Sequence, residues 1–130
     1  MTNILVIHQD PLQLYLLTML LESPDEEIVC CGCLEEALKV CDVRHDIDGV
    51  VIDLQTLKGH SWPFSRQCQW SPYQTIPALG ISFHYPEGES ECICEEFHVD
   101  GYLALPVKPQ RFRQVVHTLI PSHVASAIVC

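Results

Sequence analysis

Gly49-Val50-Val51-Ile52-Asp53-Leu54 decides the fold. Three β-branched residues run into one acid, and Asp48-Gly49 breaks the chain before them. A continuous apolar run this short reads as a strand buried on both faces, which is the signature of a parallel sheet. In open parallel sheets ligands gather outside the carboxyl ends of the strands, so a carboxylate at that end marks a rim worth examining. The plainer reading of Asp53 is that it hydrogen-bonds the amides of the loop that follows.

Working outward, Ile4 to Ile7 is a second compact apolar run. It leads into His8-Gln9-Asp10-Pro11, where Asp10 is placed to cap a helix and Pro11 to open it. That helix spans residues 12–22, and Ser23-Pro24 ends it. The i/i+4 spacing puts Leu12, Leu16 and Leu20 with Leu17 and Leu21 on its core face, and leaves Leu14, Tyr15 and Met19 outside the stripe. A helix apolar nearly all round calls for burial on more than one side, here by a partner. Residues 27–31 read as a strand and 34–43 as a helix with Leu34, Ala37, Leu38 and Cys41 inward. After the Asp53 strand come a loop (55–61), a weak helix (62–70) and a strand over 76–82, with Pro77 at its start where no ladder donor is needed. A short acidic helix follows at 90–98, then a strand over Gly101-Tyr102-Leu103-Ala104 that Leu105-Pro106 ends. Pro109 opens the last helix, whose core face is Phe112, Val115, Val116, Leu119 and Ile120. Strand and helix alternate five times with short connections, which demands a parallel sheet covered on both faces.

The chain has 130 residues and 48% hydrophobic content, enough for one domain with a normal core. We expect that domain over residues 1–120, and an apolar tail over 121–130. Seven Lys and Arg against seventeen Asp and Glu give a formal charge of -10, which argues against direct contact with nucleic acid or with an anionic membrane. No apolar stretch approaches the ~20 residues of a spanning helix. The N-terminus lacks the basic start and long apolar core of a signal peptide, so a cytoplasmic protein is expected. The eight cysteines are then expected as thiols. Cys30-Cys31-x-Cys33 and Cys92-x-Cys94 with His98 suggest metal, but neither has the C-x2-C spacing of a structural zinc site.

The pieces Ile4-Leu5-Val6-Ile7-x-x-Asp10-Pro11, Glu35-Glu36-Ala37-Leu38, Val51-Ile52-Asp53-Leu54, Ile76-Pro77 and Asp100-Gly101-Tyr102-Leu103 with Pro106 occur in one order. In that order the chain resembles the receiver domains of two-component response regulators over about residues 3–120. The resemblance implies an α/β fold, the flavodoxin-like (βα)5 three-layer sandwich with a parallel five-stranded sheet of order 2-1-3-4-5. It implies Asp53 as phosphoacceptor, Ser82 as the hydroxyl that contacts the phosphoryl group and Tyr102 as the switch aromatic. The family's metal-binding acid pair falls on His8 and Gln9, and its lysine falls on Leu105. Asp10 matches a third acid seen in many receivers. Lys108 lies three residues past the lysine position, and Leu57-Lys58 replace the usual Pro-Gly.

The losses have physical weight. Mg2+ wants hard oxygen ligands in near-octahedral geometry, and Asp53 with Asp10 is a weak cage. Phosphoryl transfer is mostly positioning and charge neutralisation, and each missing electrostatic contact costs roughly 3 kcal/mol by analogy with oxyanion donors. The expectation is a degenerate pseudo-receiver. It would be no enzyme and need no cofactor, and it would act by protein–protein contact with a histidine kinase, another signalling protein or a second copy of itself. Interface candidates are Leu14, Tyr15 and Met19 on the first helix, and Arg111 and Phe112 with Arg113 on the last. Two alternatives stand beside it. One is a working regulator phosphorylated on Asp53 with Mg2+ bound. The other is a cysteine-based redox or metal sensor. His8 either partners Asp53 in place of the metal or is an exposed strand-end residue.

Overall fold

A computed structural model describes residues 2–57, 60–62 and 76–120. The weak helix expected over 62–70 and the apolar tail at 121–130 lie outside the described residues, apart from Trp62. The elements are β1 (Thr2–Ile7), α1 (Pro11–Leu21), β2 (Glu26–Cys31), α2 (Leu34–Val43), β3 (Gly49–Asp53), β4 (Ala78–Ser82), a 3-10 turn (Glu87–Glu89), α3 (Ser90–Phe97), β5 (Gly101–Ala104) and α4 (Pro109–Leu119). The five strands form one parallel sheet of order β2-β1-β3-β4-β5, the expected flavodoxin-like arrangement.

The side-chain alternation of each strand feeds two cores. Ile4, Val6, Val51, Leu79, Ile81 and Leu103 face α1 and α4, where Leu17, Leu21, Phe112, Val116 and Ile120 meet them. Leu5, Ile7, Val50, Ile52 and Tyr102 face the other way, onto Ala37 and Cys41 of α2 and Ile93 and Phe97 of α3. β3 is buried along its whole length, as its β-branched run requires. β2, at one edge, is only partly buried and carries Glu26 and Glu27. The ladder of β4 begins at Ala78, two residues later than expected, and Pro77 contributes only its carbonyl, to Val50 N–H at 2.9 Å.

Two carboxylates pin the starts of neighbouring strands. Asn3 N–H donates to Asp48 Oδ2 at 2.7 Å, while Asp48 N–H donates to Asn3 O at 2.8 Å. Asp100 does the same for Ala78: its Oδ2 accepts the Ala78 N–H at 2.8 Å and its own N–H donates to Ala78 O at 2.8 Å. At the base of β3 there is no room for a side chain on Gly49. A Cβ there would lie 2.3 Å from Cγ1 of Ile120, the residue that follows α4.

α1 is rotated from the expected phase. Asp10 caps it through Leu12 N–H at 3.0 Å and Pro11 is its first residue, as predicted. The face that packs inward is Leu14, Leu17, Leu20 and Leu21. Leu12 and Leu16, expected in the core, are exposed with Tyr15 and Met19. Leu14, expected at an interface, is partly buried and packs against the core, because only one stripe of α1 reaches both β1 and α4. Phe112 is likewise fully buried and presents nothing to a partner, while Arg111 is exposed and pairs with Glu87 at 3.0 Å. No helix among the described residues is long and apolar enough to cross a membrane.

Candidate functional site

The carboxyl ends of β1 and β3 lie side by side, and the register Ile7 to Ile52 carries on into His8 and Asp53. Both residues are buried, at 7% and 5% exposure. His8 Nε2 lies 3.8 Å from Asp53 Oδ1. That separation is too long for a hydrogen bond and leaves a dipole facing a charge. Which nitrogen carries the proton follows from the other side of the ring: Nδ1 accepts the Asp10 N–H at 3.0 Å, so the proton sits on Nε2 and points toward Asp53. His8 is therefore buried opposite Asp53 and is not an exposed strand end.

The second carboxylate oxygen is held by a residue the sequence reading passed over. Thr56 donates its N–H at 3.1 Å and its hydroxyl at 2.9 Å to Asp53 Oδ2. Its oxygen in turn accepts the Gln9 N–H at 3.1 Å, tying the β1 loop to the β3 loop. A threonine three residues after a strand-end aspartate is the available signal, because such local side-chain bonds are what turns use. Leu54, Leu57 and Trp62 then fill the space behind this loop, all fully or almost fully buried. Leu57, the first of the two residues in place of the resemblance's Pro-Gly, is thus a core residue, and Lys58 lies outside the described residues.

The remaining candidates are only partly drawn in. The side chain of Gln9 is exposed, and the carboxylate of Asp10 is committed to the α1 cap. Ser82 is fully buried, and its hydroxyl oxygen accepts His84 N–H at 2.9 Å. Its carbonyl accepts Leu105 N–H at 2.8 Å. The Leu105 side chain leans onto the α1/α4 core, and Lys108 is exposed at the N-cap of α4. Tyr102 lies on the opposite face of β5, buried. Its hydroxyl donates to the carbonyls of Tyr85 and of Ser82, and burial pushes its pKa up. Among the described residues no Lys or Arg side chain pairs with Asp53.

These groups do not fit Mg2+. An octahedral site needs several oxygens with free lone pairs, whereas one oxygen of Asp53 carries two donors, the other faces an N–H, and Asp10 is turned away. A cavity of ≈ 390 Å³ opens at the rim between Gln9, Cys33, Glu35, Thr56 and His60, and Asp53 does not line it.

The thiols are mostly individual. Cys31 and Cys41 are buried, and burial first of all pushes both up to about 11, the mark of inert core cysteines. Cys30, Cys33 and Cys92 are exposed. Among the described residues no three His, Cys, Asp or Glu side chains are grouped so as to hold a metal ion.

No protein-family model matches the chain, and no curated protein matches it. Solved structures do match its fold. A response regulator receiver-domain protein from Clostridium thermocellum aligns with a TM-score of 0.72 at 19% identity, over 100% of each chain. The receiver domain of a sensor histidine kinase from Pseudomonas aeruginosa PAO1, solved with a magnesium ion coordinated in its active-site cleft, aligns at 0.72 and 16% identity over 93% of this chain and 98% of that one. A structure of the P1 domain of CheA3 in complex with CheY6 from R. sphaeroides aligns at 0.67 and 16%, over 91% and 95%. The likeness is one of fold: the chain has the flavodoxin-like fold of receiver domains.

Proposed function

We propose that this chain is a receiver-type domain of two-component signalling that works through protein contact, without phosphorylation of Asp53. The fold shared with receiver domains supports the signalling role, and the complex of CheY6 with a P1 domain is an instance of that fold meeting a protein partner. The observation that carries the second half is the state of Asp53. Its Oδ2 accepts two bonds from Thr56, its Oδ1 faces His8, and it is buried. A phosphoryl group arriving there brings negative charge to a carboxylate with which, among the described residues, no Lys or Arg pairs.

A working phosphoacceptor is the competing reading, and beryllofluoride separates the two. Heat of binding is measured for wild type and Asp53→Ala with millimolar Mg2+ present. We expect no saturable binding to either. Saturable, Mg2+-dependent binding that disappears in Asp53→Ala would overturn the proposal and make the chain a phosphorylated regulator.

A further inference from the structure

We propose that the exposed face of α1 is a self-association surface, on which a second copy of this chain packs antiparallel about a two-fold axis. Four of the large exposed apolar side chains among the described residues lie on this one helix: Leu12 (63% exposed), Tyr15 (61%), Leu16 (44%) and Met19 (55%). Their spacing of i, i+3, i+4 and i+7 makes a single stripe, opposite the core stripe of Leu14, Leu17 and Leu21.

Three features commit this stripe to a second copy. The first is symmetry. A two-fold axis requires the same patch on both sides to complement itself. An axis passing between Tyr15 and Leu16 sets Leu12 against Met19 of the other copy and Tyr15 against its Leu16, so every member of the stripe finds an apolar member. The second is charge. Each copy carries a formal charge of -10, yet residues 11–21 include no Asp, Glu, Lys or Arg. α1 is thus a strip along which two acidic molecules can meet without setting carboxylates face to face. The third is area. Four side chains of this size, about half exposed, present an apolar patch of roughly 400–500 Å². A pair then buries on the order of 1,000 Å², the lower bound for a specific interface, which fits a weak and reversible dimer. Asp10 and Glu22, the charged residues next to α1 in the chain, stand at the two ends of the stripe and repel across the rim of the pair, so added salt strengthens association.

This surface is independent of the state of Asp53, so it stands or falls separately from the phosphorylation question. Sedimentation of the full chain is measured over a concentration series at low and high salt. We expect mass to rise with concentration from 14.7 kDa toward twice that value, and to rise further with salt. Tyr15→Glu and Leu16→Lys should each weaken association at least tenfold while leaving the circular dichroism of the fold unchanged. An equimolar mixture of the two variants should associate again, because position 15 of one copy meets position 16 of the other. A wild type that stays monomeric at both salt levels overturns the proposal. So does a dimer whose strength Tyr15→Glu leaves unchanged, or a mixture of variants that fails to associate.

Discussion

Thr56 gives its hydroxyl to one carboxylate oxygen of Asp53, three residues before it in the chain, and divides its N–H between that oxygen at 3.1 Å and the Asp53 carbonyl at 3.0 Å. The carboxylate is buried, so these bonds replace the hydration it loses on folding. Thr56→Val removes the hydroxyl but keeps the shape and the N–H, and it also strips the Gln9 N–H of its acceptor. We expect a loss of about 2 kcal/mol, because hydrogen bonds to charged groups lie at the upper end of the usual range. Thr56→Ser should lose less than half of that. Urea unfolding reads both, as a lower midpoint at unchanged slope. A Val variant as stable as wild type would mean that Asp53 does not rely on this threonine.

His8→Asp should exchange the fixed N–H for a metal site. It puts a second carboxylate on the strand end beside Asp53, set back from the place that His8 Nε2 now holds at 3.8 Å, and the like charges destabilise the metal-free fold. Mg2+ then has two facing carboxylates to bridge. With Mg2+ at about ten times its Kd the variant regains about 1.4 kcal/mol. Thermal unfolding with and without Mg2+ tests this. The variant's midpoint should rise with the metal, and that of wild type should stay put. Equal responses would show that His8 is not what keeps the cation out.

Stability should fall in alkali because of the buried thiols. Cys31 and Cys41 keep their protons up to about 11 in the folded chain, against an ordinary thiol value of 9.0. As pH climbs from 9 to 11 the unfolded chain releases these protons first. The folded state is therefore disfavoured progressively across that window, and the effect levels off above it. The raised Tyr102 hydroxyl acts with the same sign. Unfolding midpoints taken from pH 8 to 11 should decline, and decline less steeply in Cys41→Ala. A flat profile would mean that these thiols titrate alike in both states.

Much of the fold was legible because the strands announce themselves. Val50-Val51-Ile52 has no polar member and a break before it, which points directly to a strand buried on both faces, and β3 is such a strand. α2 and α4 were legible for a different reason, since their charged residues mark the solvent side. α1 has no such marks. With leucine at 12, 14, 16, 17, 20 and 21, hydropathy leaves the phase of the helix open, and only the positions of β1 and α4 choose the stripe. Phe112 lies between Arg111 and Arg113 and was placed both in the core and at an interface. Its neighbours are exposed because the helix turns 100° per residue, and the ring itself lies inside.

The site divides in the same way. His8 and Asp53 were found because each ends an unmistakable strand. Thr56 was missed because it ends nothing. Its role depends on a turn that folds back three residues, which neither period nor composition reveals. The orientation of His8 was also out of reach, since it depends on the Asp10 N–H that meets the far side of the ring.

The clamp between Asn3 and Asp48 lies at the opposite edge of the sheet from His8 and Asp53, five residues upstream in each strand. At about 3.3 Å per residue it is some 16 Å away, yet it determines which two side chains end up facing. Both strands count the same number of residues from a shared origin. One apolar side chain in them can be exchanged for another without changing the outcome. A single insertion or deletion in either strand is different in kind, because it would deliver Ile7 or Gln9 to the place opposite Asp53. What this rim depends on is therefore the length of two strands more than the identity of the residues that fill them.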